Sequence, residues 1–157
     1  MTRNQRAATL IEMVVGLMVA IPVVLTLIDL IMMTLAVQIN DSAAREADRL
    51  AASGDPNQAV SRAQRVVARL NQTMAGYVSN VTLVGVTFNP TNMLATEASL
   101  VPYGGVVQGA VTVQTQVTVT PILIRYVYTG PYTFVAQQTC PITYNIPNTA
   151  GGQPVPP

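Results

Sequence analysis

The chain has 157 residues, half of them hydrophobic and a tenth charged, with a formal net charge of +1. That balance suits one membrane segment joined to one small domain, and it lacks the strongly basic surface that a nucleic-acid partner requires. Histidine is absent and cysteine occurs once, which removes the commonest general base and metal ligand, any intrachain disulfide and any thiolate zinc cluster.

The charges are unevenly placed. All 8 basic residues are arginine, and Arg3 and Arg6 precede a long apolar run. From Leu70 to Pro157 the only charged residues are Glu97 and Arg125. Residues 1–7 form a short basic leader, MTRNQRA, and residues 8–39 read as a transmembrane helix. Within that segment Met13 to Ile28 carries no charge, and the run resumes after Asp29. A bilayer core needs about 20 helical residues, so the length suffices if one acid is tolerated. The positive-inside rule puts the arginine-bearing end in the cytoplasm. Pro22 predicts a kink or a local loss of helix bonding.

Residues 40–54 continue as an alanine-rich helical stalk, with Asp41 and Arg45 four residues apart, as are Arg45 and Arg49. From Ala8 to Ala52 such a helix extends about 67 Å. Gly54, Asp55 and Pro56 then supply a helix stop, an N-cap and a first-turn proline. A second, amphipathic helix is predicted over Pro56–Met74, with Val60, Ala63, Val67, Leu70 and Met74 on one side. Arg62, Arg65 and Arg69 lie mostly on the other side and read as a solvated face.

Beyond Gly76 the period changes to two. In VTVQTQVTVTP, Val111, Val113, Val117 and Val119 alternate with Thr112, Gln114, Gln116 and Thr118. SNVTLVGVTF before it, and ILIRYVY and YTFVAQQ after it, also read as strands, the last two joined by a turn at 129–131. The fold class expected is α+β: a membrane and stalk helix, an amphipathic helix and a small antiparallel sheet over residues 55–147, then a disordered tail at 148–157. Cys140 reads as a free thiol or a small core residue.

Glu12 and Asp29 are the chemically informative residues. A carboxylate at the middle of a membrane helix costs roughly 2.5–3.5 kcal/mol, so each needs water or a partner. If the chain is cut between Ala7 and Ala8, Glu12 becomes the fifth residue of the mature chain. It can then complement the cationic amino terminus of a neighbouring subunit. Asp29 suits a polar contact between helices. Gly16 and Ala20 form a small-xxx-small pair that permits close helix packing. Loss of the leader leaves six arginines against seven acids, a net −1, which supports no electrostatic binding role. No catalytic triad, metal cluster or phosphate loop is visible, so neither an enzyme nor a cofactor is expected.

RAATLIEMVV resembles the N-terminus of type IV pilin-like precursors, in which Glu is fifth after the cut. The wider pattern is similar to the TadE-like minor pseudopilins of the tight-adherence (Flp) pilus system. Those chains typically carry this Glu, a second acid seventeen residues on, and an alanine-rich AAR…R.AA stalk. Here Asp29 stands seventeen after Glu12, and AAREADRLAA places Arg45 and Arg49. The likeness covers about 45 residues well and the rest in outline. It implies a bacterial, single-pass inner-membrane protein processed by a prepilin peptidase. The C-terminal domain would be extracytoplasmic, and the partners would be other pilins and an inner-membrane assembly platform. It implies a structural role in pilus assembly or priming. TLIEM is also similar to type II secretion and type IV pilins, one rival reading. The other is an uncleaved membrane-anchored binding module.

Overall fold

The computed structural model describes residues 3–73, 80–121 and 130–150. Helix α1 runs from Arg3 to Ala52 without interruption, and its side chains are described from Leu10 onward. A single 3-10 turn at Pro56–Gln58 leads into α2, Ala59–Thr73. Strand β1 (Val81–Asn89), helix α3 (Met93–Leu100), strand β2 (Gly105–Val119) and strand β3 (Tyr132–Ile146) complete the chain order. The strands form one antiparallel sheet in the order β1-β2-β3. The architecture is therefore α+β, as composition and periodicity lead one to expect.

Alternation in β2 produces the core. Val111, Val113, Val117 and Val119 point to one face and are buried, with Thr115 among them. The matching face of α1 is built from alanine: Ala36, Ala43, Ala47 and Ala51 are fully buried. Such small side chains let a helix lie close against a sheet, where dispersion contacts are dense. Ala47 and Ala51 pack with Val111, Val113 and the α2 residues Ala63 and Val66, while Ala36 and Ala43 pack with Val117 and Val119. Strand β2 thus runs against the sense of α1, and β1 and β3 run with it. A third cluster, Met93, Val107, Ile142 and Ile146, closes the far end under α3.

The turn into α2 follows the expected chemistry. Gly54 adopts φ +111°, a left-handed conformation that glycine enters without a Cβ clash. The Asp55 carboxylate accepts a 2.7 Å bond from the Asn57 amide, and Pro56 starts the turn. Arg62 does not simply face solvent. Its Nε donates to the Leu50 carbonyl, and its Nη2 to the carbonyls of Ala51 and Asp55, each at 2.8 Å. The guanidinium therefore satisfies carbonyls at the end of α1 that no helical N–H can reach.

Helix α3 is an element the sequence pattern does not announce. It crosses the sheet where Gly109 makes room: a Cβ there would lie 2.6 Å from the Asn89 carbonyl oxygen and 3.1 Å from Met93 Sδ. Strand β3 is longer than YTFVAQQ and continues through Pro141 to Ile146. A proline fits there because β3 is an edge strand among the described residues, so a missing N–H need not break a ladder bond. The expected strand ILIRYVY and the first residue of the turn after it, Thr129, lie outside the described residues, as does 151–157 of the tail. The start of that tail is held: the Thr149 and Ala150 amides both donate to the Pro102 carbonyl, at 2.9 and 3.2 Å.

Candidate functional site

The candidate residues singled out in the sequence fall on α1, and the domain divides that helix into two regimes. From Leu10 to Val24 every side chain is exposed. Burial begins at Asp29, which is 1% exposed, and continues at Ala36, Asn40, Ala43, Ala44, Ala47, Asp48 and Ala51. This helix is long and apolar enough to cross a membrane, and its free portion lies at its N-terminal end. The chain is therefore compatible with a single membrane anchor. Residues 8–28 alone span about 31 Å as a helix, close to the ~30 Å hydrocarbon core. The domain thus lies along α1 well before residue 40, and residues 40–52 form its central rod rather than a bare stalk.

The Ala7–Ala8 junction lies within the backbone of α1. Glu12 is exposed among Leu10, Ile11 and Met13, each more than 60% exposed. Among the described residues no hydrogen bond or ion pair holds its carboxylate. Gly16 and Ala20 are also exposed, and a Cβ added at Gly16 would meet nothing within 4 Å. Asp29 is placed differently. Seventeen helical residues carry it about 26 Å up the axis from Glu12 and roughly 100° around it, so the two acids do not share a face. Asp29 belongs to the face that the domain covers.

That covered face carries further polar groups. Asn40 donates from Nδ2 to the Phe134 carbonyl at 3.0 Å and to the Thr115 carbonyl at 3.5 Å, and Thr115 Oγ1 returns a 3.3 Å bond to the Asn40 carbonyl. These bonds tie the helix to two adjacent strands at one level. Asp48 is buried beside Cys140 on β3. Burial pushes the Cys140 thiol above its ordinary range, the Asp48 carboxylate adds to that and Arg49 opposes it, a balance that favours the protonated thiol. Arg45 pairs with Asp41 one turn below it, and Arg69 of α2 pairs with Glu46. Both pairs are substantially exposed and hold the helix surfaces only weakly. Arg49 lies in the last turn of α1, where a cation suits the helix dipole.

On the other side of α1, Leu27, Leu30, Ile31, Thr34, Leu35 and Gln38 line a shallow groove of about 270 Å³. Sequence reasoning finds the acids and the small pair but not this groove, because hydropathy alone cannot say which azimuth the sheet will occupy. The outer face of the sheet presents Thr112, Gln114, Gln116 and Thr118 with Thr133, Gln137 and Thr139 and carries no charge. Thr112 and Thr139 bond across it, oxygen to oxygen, at 2.9 Å. Among the described residues no three metal-binding side chains come together. No known protein family, characterised protein or solved structure matches the chain.

Proposed function

We infer that the chain is a TadE-like minor pseudopilin: a non-enzymatic, structural component of a tight-adherence (Flp-type) pilus or secretion system. The observation that carries this reading is Glu12, an exposed carboxylate without a described partner, on the free apolar part of α1 and four residues beyond Ala8. Such a group is costly in lipid and becomes favourable once it meets a buried cation. Prepilin peptidase removes residues 1–7, and the new amino terminus of a neighbour then pairs with Glu12 as subunits leave the bacterial inner membrane. The domain sits on the extracytoplasmic side, and the assembly platform and other pilins are the partners. A folded domain added to the helix suits a minor, priming subunit better than bulk filament.

Intact mass and terminal sequencing of the protein from host membranes test the first step. A start at Ala8 that depends on the peptidase supports the reading, and a start at Met1 or Thr2 sinks it. Glu12→Ala is expected to insert normally and to impair pilus formation. A second reading, an uncleaved anchored binding module, draws on the open, uncharged outer face of the sheet. An intact leader with a dispensable Glu12 would favour it.

A further inference from the structure

Glu97 is the only charged side chain described beyond Leu70, and it is buried. Met93 and Glu97 are the two buried residues of α3. They stand four apart and so share one face of that helix. Met93 belongs to the cluster that Ala52 packs against at the end of α1, and α3 lies against the turn at Pro56–Gln58. The shared face therefore carries the Glu97 carboxyl to the junction of α1 and α2, beside the Asp55 carboxyl and within reach of the Asn57 amide. There its Oε2 is cut off from solvent and has no hydrogen-bond partner. We propose that Glu97, Asp55 and Asn57 bind a calcium ion, at the end of α1 opposite to its free apolar part.

Two adjacent carboxylates need a counter-charge, and the chain does not supply one. Among the described residues neither acid takes part in an ion pair. Arg62 reaches the Asp55 carbonyl, but it gives its donors to backbone oxygens. Asp55 Oδ1 accepts the Asn57 backbone amide, which leaves Oδ2 for a ligand. Asn57 is exposed, so its side-chain amide can turn its oxygen toward the same point. A buried carboxylate oxygen without a donor is unfavourable, and a cation held there relieves both that loss and the repulsion between the acids. Two carboxylates and an amide fall short of the three acid, thiol or imidazole groups that would mark a transition-metal site. Oxygen ligands completed by water suit calcium, which accepts irregular geometry, over magnesium, which demands a near-ideal octahedron. So sparse a set implies a dissociation constant of about 10⁻⁴–10⁻³ M.

The site rests on the domain alone, so it stands or falls separately from leader removal and the pilus reading. Its test uses the full chain in an uncharged detergent, stripped of metal with EDTA and dialysed. Thermal melting is then followed with calcium, magnesium or sodium chloride at equal ionic strength. About 10 mM calcium should raise Tm by about 4 °C or more, by mass action on the native state, and the other two salts much less. Glu97→Gln and Asp55→Asn should each abolish the calcium shift. Asparagine caps a helix as well as aspartate does, so the turn survives the second change. Glu46→Gln, which removes a more exposed acid of α1, should keep the shift. In the wild type, calcium should also move the amide NMR signals of residues 55–58 and 93–100 to saturation, a readout that needs neither variant to fold. No calcium shift in the wild type, an equal shift with magnesium or sodium, or a shift that survives in Glu97→Gln or Asp55→Asn overturns the proposal. So do amide signals that move elsewhere and not at these two segments.

Discussion

Glu97 shows how much a single buried residue can impose on this domain. It is 6% exposed, and Oε2 has no hydrogen-bond partner. Burial raises its carboxyl above the ordinary 4.5, the neighbouring Asp55 raises it further, and Asn57 partly opposes both. The folded state therefore binds the proton more tightly than the unfolded chain does. Stability from this group is fully present below pH 4.5 and is lost as pH rises through the elevated native value. Thermal melts across that window should decline for the wild type and stay flatter for Glu97→Gln, which keeps the shape without the charge. Equal slopes would mean that the carboxyl ionises at no cost in the fold. Asn40 works in the other direction. Its amide fills two carbonyl sites on neighbouring strands and so fixes the height of α1 against the sheet.

At the scale of elements, the join between α1 and α2 depends on one side chain. Arg62 gathers three carbonyls around the end of α1. Arg62→Ala removes the charged donor from all three, though Leu50 keeps its bonds from Ser53 and Asp55 its bond from the Gln58 amide, and a loss of about 1–2 kcal/mol is expected in chemical denaturation. Arg62→Lys should recover only part of it, because an ammonium lacks the planar fork. An unchanged midpoint for the alanine variant would remove this role. The spacing of Arg62, Arg65 and Arg69 could not disclose it, since a solvated face and a capping arginine look alike until the chain doubles back. Period-two alternation made β2 readable from Val111 to Val119, where one face is buried at every second residue; its first six residues, Gly105 to Ala110, break that alternation and do not read as part of it. Helix α3 stayed hidden because MLATEASL is short and its apolar residues fall on no single side. Strand β3 looked shorter than it is because Pro141 reads as a breaker and only an edge position tolerates it. The strand bulge between Leu83 and Gly85 had no sequence signal beyond a glycine.

For the whole molecule, the division of α1 into a free part and a covered part makes a direct prediction. A fragment beginning at Asp29 keeps Ala36, Asn40 and the alanine face, so it should fold and melt cooperatively. A fragment beginning at Asp41 loses Ala36 and Asn40 from the core and should be less stable by about 2 kcal/mol or more. Equal stability of the two would show that the domain does not need the helix below residue 41. The acids and small residues of α1 were visible in the sequence, but their azimuths were not, and azimuth separates Asp29 from Glu12. The same azimuth limits crowding. Where the sheet lies along α1, it fills one side of the helix circumference from Met33 and Ala36 outward. Neighbouring helices can therefore approach only through the remaining arc, which has room for one or two of them. A rod built of helices surrounded on every side could take this subunit only at a terminus or on its rim, so its own shape would cap the number of copies per assembly.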